Sequence, residues 1–266
     1  LKLHAFLPVD VAQRILYKDH KETQTKEKTA MAHKPTLFMV TDIETTLRKR
    51  IAFDIAWRTI DRKGKVYAEG SYVIREAFNL DVPFFATKLG HYFDDAYAKR
   101  IVPASILEVR TEYNKQIADF QDAGHRVIPC AYNAAFDFKY MPETLQQLTG
   151  DSNARWLDRK VELMDIWAYW GASVPKNYKA NASASGKYYS TSAESAFRFE
   201  FNQADFVERH IAWHDCVIEG DILQKALARR KALHTVQSPK QFAGAIWKSI
   251  NTRLGITGNQ SLVVGA

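Results

Sequence analysis

The chain has 266 residues, 46% of them hydrophobic and 12% aromatic, which excludes a globally disordered protein and allows one sizeable domain with extensions. A formal charge of +7 favours a polyanionic partner such as nucleic acid without identifying one. No run reaches the roughly 18 apolar residues of a membrane span, so no membrane partner is expected. The two cysteines, Cys130 and Cys216, have neither a disulfide framework nor a zinc-ligand spacing, so both read as buried packing residues in a reducing, intracellular compartment.

Residues 1–10 lack a basic flank and a small-residue cleavage site and make a poor signal peptide. The sequence begins with Leu1, and Met31 is a second candidate start for the domain. Val11, Ile15 and Leu16 have helical spacing, and residues 18–34 are polar and mixed in charge. An N-terminal extension over 1–35 is therefore expected, a short docking helix followed by a solvated helix or linker.

The core is expected from Thr36. Leu37–Thr41 is an apolar run of strand length. Ile51–Ile60 and Val66–Ile74 have strand character around the turn Asp61–Lys65, which predicts a hairpin. Ile106, Val109, Tyr113, Ile117 and Phe120 fall at helical spacing within 105–122, with Gly124 placed to close that helix. Val127–Cys130 and Val161–Ile166 read as further strands. Lys176–Thr191 is rich in Ala, Ser, Asn, Gly and Tyr and reads as an irregular insertion. Gln203–Lys231 is expected to be helical and Gln241–Asn251 to form a last small helix, with 255–266 a loose tail. The domain is expected over 36–235, with a C-terminal helix and tail at 236–266. Early strands followed by alternating helix and strand predict an α/β sandwich with a mixed sheet.

Three short motifs concentrate the candidate chemistry: Asp42-Ile43-Glu44-Thr45-Thr46, Asn133-Ala134-Ala135-Phe136-Asp137 and His210-Ile211-Ala212-Trp213-His214-Asp215. Asp42 and Glu44 alternate on a strand, so both point to one face, beyond an apolar strand where ligand sites of α/β sheets gather. Asn133 and Asp137 share a helix face if a helix starts there, and Asn133 is also placed to cap it. Asp137 lies between Phe136 and Phe138, which leaves it either partly exposed or held by a cation. His210 and Asp215 are five apart, about 140° on a regular helix. His210 is therefore expected before the helix and Asp215 within it, while His214 reads as a packing or surface histidine. Hard divalent cations need oxygen ligands of this kind.

Taken together, the motifs resemble the DEDD superfamily of 3′→5′ exonucleases in its DEDDh branch, which includes proofreading subunits of replicative polymerases, RNase T and oligoribonuclease. The family patterns are D-x-E-T-T-G, H-N-A-x-F-D and H-x-A-x-x-D. Ile211 stands where the alternative branch carries a tyrosine. The resemblance covers about residues 36–232 and departs at Leu47, in place of the glycine, and at Tyr132, in place of the first histidine of the second pattern.

The resemblance implies an RNase H-like mixed β-sheet flanked by helices, with the irregular insertion before the last motif helix. It implies two Mg2+ ions, replaceable by Mn2+, roughly 3.5–4 Å apart. Asp42 would touch both. Glu44 and Asp215 would complete the site of the ion holding the attacking water, Asp137 would hold the second, and His210 would take the proton from that water. The product would be a nucleoside 5′-monophosphate. Thr45, Thr46, Asn133 and Phe136 fall in the substrate-facing motifs. Nucleic acid would also be held by electrostatics and stacking, with Lys176, Lys179 and Lys187 interleaved with Tyr178, Tyr188 and Tyr189; the insertion could equally be a surface loop with ordinary lysines. Of these, Lys187 and Tyr188 are the expected substrate contacts. Trp57, Trp167, Trp170 and Trp213 read as core. The expected substrate is a single-stranded or frayed 3′ end, DNA over RNA. A proofreading subunit with a polymerase or replication partner, an exoribonuclease on short RNA, and a catalytically silent nucleic-acid-binding module stay open as alternatives.

Overall fold

In the computed structural model the described residues are 34–77, 80, 82–178 and 187–256, those at 82–89 by backbone alone. The docking helix around Val11 to Leu16, nearly all of the polar run after it, Lys179 and the tail from residue 257 lie outside them. The described residues from Thr36 onward belong to one compact unit, which carries every motif.

Six strands, β1 (Leu37–Thr45), β2 (Ala52–Asp61), β3 (Val66–Ile74), β4 (Val102–Ala104), β5 (Val127–Ala131) and β6 (Met164–Asp165), form one sheet in the order β4-β3-β2-β1-β5-β6. β1, β2 and β3 are antiparallel neighbours; β5 runs parallel to β1 and β6 parallel to β5. The β2–β3 turn closes as its residues dictate. Asp61 Oδ1 accepts from the backbone N–H groups of Lys63 and Lys65, and Gly64 takes the positive φ of 82° the turn requires.

Alternation on β1 divides the core. Met39 and Ile43 pack with Ile55, Trp57 and Tyr113 under α2 (Ile106–Asp122) and α3 (Ala134–Thr149). Phe38 and Val40 pack with Ala56 and Ile60 against α4 (Ile166–Gly171), α5 (Ala193–Phe201), α6 (Ala212–Arg229) and α7 (Ile246–Arg253). The sheet is therefore covered on both faces. α2 starts at Ser105, whose hydroxyl accepts from Glu108 N–H while the Glu108 side chain accepts from Ser105 N–H, and it ends before Gly124 at φ 87°.

Several expected elements differ. The strand over Val161–Ile166 is only Met164–Asp165, because the Asp165 carboxylate accepts from Ala168 N–H at 2.7 Å and opens α4. The helix expected over Gln203–Lys231 begins at Ala212, and a separate α5 precedes it, capped by Ser192 and ended by Asn202 at φ 53°. The last expected helix divides into a 3-10 turn, Pro239–Gln241, and α7. Helix α1 (Val82–Tyr97) and β4 were not anticipated. Within 236–266, α7 belongs with the core: a Cβ on Gly171 would lie 2.4 Å from Ile250, so only glycine lets α7 rest on α4. Tyr178 is also core, 1% exposed against Trp170 and Phe199, and cannot stack on a ligand. Trp57 and Trp170 are buried as expected, while Trp167 and Trp213 are half-buried. Among the described residues, no helix is long and apolar enough to cross a membrane.

Candidate active site

β1 continues through the first motif rather than ending at it, so Asp42 and Glu44 leave the same face that Phe38 and Val40 use further back. The Asp42 carboxylate is withdrawn, its Oδ2 buried without a hydrogen-bond partner. Thr45 and Thr46 are buried. Thr46 N–H donates to Ile51 O and the Thr46 hydroxyl accepts from Ile51 N–H at 3.1 Å, so this residue shapes the turn that carries Leu47 out to 68% exposure.

β5, parallel to β1, delivers the second motif beside the first. Asn133 occupies the cap position of α3, yet its side chain makes no capping hydrogen bond and is exposed. Asp137 lies in the first turn of α3 and is 3% exposed, with Ile43 N–H donating to its carboxylate. Phe136 is half-buried, edge-on to Tyr140 at 4.7 Å.

The third motif divides at the helix start, as the 140° offset between its ends requires. α6 begins at Ala212, Asp215 is buried in its first turn, and His210 precedes the helix, exposed, with φ 52°. That left-handed conformation is unfavourable for a residue with a Cβ and needs support from its surroundings. Asp54 on β2 supplies it. This fully buried carboxylate lies directly across from Glu44, and its Oδ2 accepts from Ala212 N–H at 3.0 Å and from Tyr92 O–H at 2.9 Å. Ile211, at the cap position, has no side chain able to do this. Burial and the neighbouring Asp54 push the Tyr92 phenol up, so it remains a donor. The donor atoms of Glu44, His210 and Asp215 lie within 4.8 Å of one another, with His210 Nδ1 3.9 Å from Glu44 Oε1.

From sequence Asp54 reads as an ordinary strand residue in Phe53-Asp54-Ile55; the available signal is a charged side chain within the apolar run Ala52–Trp57. Its removal has a defined consequence. Asp54→Leu should destabilise the protein by about 2–4 kcal/mol, since two buried donors lose their acceptor, and Asp54→Asn by less, because one acceptor oxygen remains. Urea unfolding of the two variants checks the order.

Electrostatics set the character of the site. Burial raises the Asp42 carboxyl well above its ordinary range, and Glu219, Asp215, Asp137 and Glu44 raise it further. Asp137 is raised by burial foremost, against the lowering effect of its backbone hydrogen bonds. Glu219, one turn beyond Asp215 on α6, is likewise raised by burial and by Asp137 and Asp215, and its Oε2 accepts from Tyr132 N–H at 3.3 Å. The motif pattern does not include it, although the i, i+4 spacing from Asp215 places it on the same helix face. Burial pushes Asp165 up to about 7. These hard oxygen donors, raised by burial and by neighbouring carboxylates at Asp42, Asp137 and Glu219, with Asp42 Oδ2 lacking a hydrogen-bond partner, fit divalent cations: positive charge would offset both the desolvation and the repulsion.

His214 is engaged elsewhere. Its Nε2 lies 3.1 Å from Asp95 Oδ2 and 3.0 Å from an Arg209 guanidinium nitrogen, and burial lowers its imidazole. In the insertion, Lys187 is exposed and Tyr188 packs edge-on against Trp247 at 4.6 Å.

No family model and no curated protein matches the chain. Among solved structures it is similar to a 3′-exonuclease described in "3'-end specific recognition of histone mRNA stem-loop by 3'-exonuclease", with a TM-score of 0.51 and 11% identity over 88% of this chain and 78% of that one. It also aligns with Exonuclease X in complex with 5′ overhanging duplex DNA, with a TM-score of 0.43 and 14% identity over 80% and 99% of the two chains. E. coli Exonuclease I in complex with a dT13 oligonucleotide aligns with a TM-score of 0.45 and 12% identity over 74% and 42%. The last two are too distant to carry weight, and at 11% identity the first shows a shared fold. The fold class is accordingly α/β with an RNase H-like mixed sheet flanked by helices.

Proposed function

We propose that the protein is a metal-dependent 3′→5′ exonuclease of the DEDDh type, acting on single-stranded or frayed 3′ ends, with DNA as the substrate. The observation that carries this reading is the convergence of β1, α3 and α6: carboxylates close enough that neighbouring charges help raise Asp42, Asp137 and Glu219, and the exposed His210 imidazole, whose donor atom lies within 4.8 Å of those of Glu44 and Asp215. Asp42, Glu44, Asp137 and Asp215 would hold two Mg2+ ions, with Mn2+ able to substitute. Cations bound there would supply positive charge against the phosphate oxygens of an in-line displacement and ease loss of a proton from the attacking water.

The protein's own groups do the rest. His210, outside the helix and open to solvent, accepts the proton of the attacking water as the new P–O bond forms and the bond to the 3′ oxygen breaks. Asp54 and Tyr92 position it by holding the start of α6. Thr45 and Thr46 shape the turn against the terminal nucleotide, while Asn133, Phe136, Lys187 and Tyr188 meet the strand behind it.

A panel of 5′-labelled single-stranded DNA, duplex DNA and RNA resolved on a gel is the test. With Mg2+, single-stranded DNA should give a ladder of successively shorter bands and release 5′-monophosphates, and chelation should stop it. No shortening of any substrate with Mg2+ or Mn2+ would overturn the reading, and faster shortening of RNA would move the substrate to RNA.

A further inference from the structure

Beside the carboxylate cluster lies a cleft of about 650 Å3, lined by Tyr132, Trp167, Tyr188, Tyr189 and Trp247 together with Asn133, Ser190 to Ala193 and Glu208. Its rings come from four separate parts of the chain. Tyr132 follows β5, Trp167 lies on α4, Tyr188 and Tyr189 lie in the insertion, and Trp247 lies on α7. Tyr132 and Trp167 are stacked, centroids 6.1 Å apart at 17°, whereas Tyr188 meets Trp247 edge-on.

The cleft is held open by buried polar groups rather than by chance exposure. Asn251, fully buried on α7, accepts from Tyr189 N–H at 2.9 Å. The hydroxyls of Tyr178 and Tyr132 donate to the carbonyls of Ser190 and Thr191 at 2.6 and 2.8 Å. Residues 189–191 are thereby fixed to three separate parts of the chain, which makes a preformed wall whose ordering cost is met in folding and not on binding.

Resting on the exonuclease reading above, we propose that this cleft is a second nucleotide site, taking one unpaired nucleobase of the strand whose 3′ end lies in the carboxylate cluster. Its position favours that occupant. Asn133 joins it to Asp137 through the first turn of α3, and Glu208 lies two residues before His210. Its chemistry does so as well. Aromatic faces stack on any base without reading its sequence. Glu208 in the lining repels a phosphate but accepts from the N–H groups of a base edge. Cations stand outside: Lys248 Nζ lies 5.3 Å from the Trp247 ring centroid and Lys187 is exposed beside Tyr188, where the flanking phosphates would run. A base already paired and stacked in a duplex cannot enter, so the cleft selects single-stranded or frayed ends.

Binding without turnover tests this. Fluorescence anisotropy with a labelled single-stranded oligonucleotide in chelator measures affinity for the wild type, Trp247→Ala and Tyr188→Ala. Both residues are half-buried, so two independent substitutions guard against a folding defect in either. An abasic site is then moved along the strand one nucleotide at a time. Each substitution should weaken binding about tenfold. One abasic position near the 3′ end should cost the wild type the same factor and cost either variant nothing further, because base and ring are then the same interaction. Additive losses, or no sensitive position in the scan, would overturn the proposal. Hydrolysis does not enter the measurement. Coupling without any nuclease activity would sink only the exonuclease reading, and nuclease activity with a flat scan only the cleft.

Discussion

Asp42→Asn should lower the rate of 3′-end hydrolysis by roughly 10³-fold, the scale seen when a group acting on developing charge is removed, while raising the thermal stability of the metal-free protein at neutral pH. The two effects have one origin. The Asp42 carboxyl is raised by burial and by four neighbouring carboxylates, so its ionised form is held against desolvation and repulsion unless cations offset both. The sign for stability follows from the direction of these shifts. Asp42, Asp137 and Glu219 all have folded values above their unfolded ones. Their contribution is fully present below the ordinary carboxylate value near about 4 and is lost as pH rises through the raised folded values. Glu108 and Asp122 shift the opposite way through hydrogen bonds with Ser105 and Arg159, but both are exposed and weigh little. Thermal melts of metal-free wild type should therefore fall from mildly acidic to neutral pH. The asparagine variant should flatten that slope, with a gain at neutrality of roughly 2–4 °C for each kcal/mol of repulsion relieved. Mg2+ should raise the melting temperature of the wild type and do so much less for the variant. A variant that melts lower than the wild type without metal, or that still hydrolyses at a comparable rate, would remove Asp42 from the centre of the site.

His210→Ala should slow hydrolysis by about 10²–10⁴-fold, the range for loss of a general base, while KM for a single-stranded oligonucleotide changes only a few-fold. The imidazole is exposed and its donor atom lies within 4.8 Å of those of Glu44 and Asp215, so its removal leaves the carboxylates in place. His214→Ala is the control. His214 is bound to Asp95 and Arg209, facing away from this role, and its loss should leave most of the rate. Single-turnover rates for the two variants decide the matter, and a larger loss from His214→Ala would reassign the base.

The difference between these two histidines illustrates how much was legible in the chain. Helical geometry alone shows that His210 and Asp215 cannot share a face of one helix, and the helix does start between them, at Ala212. The hairpin over β2 and β3, the helix from 106 to 122 and the alternation that exposes Asp42 and Glu44 on one face are likewise local. They depend on residues a few positions apart, and the sequence carries that information densely. The helix over 203–211 failed for a local reason also: apolar spacing continues across a stretch where Asn202 has already stopped α5 in the left-handed conformation.

Local sequence fixes β1 to β3, β5, α2 and the identity and order of the chemical groups within the three motifs. Which further elements and which other groups join them depends on the packed fold. Asp54 reaches Ala212 across 158 positions, Glu219 faces Asp137 from another helix, and Trp247 closes a cleft begun at Tyr132. Such pairings follow from strand register, from which sheet face a helix covers and from a glycine that lets α7 approach α4. Each of these is settled by burial of the whole core at once, which no window of neighbouring residues contains.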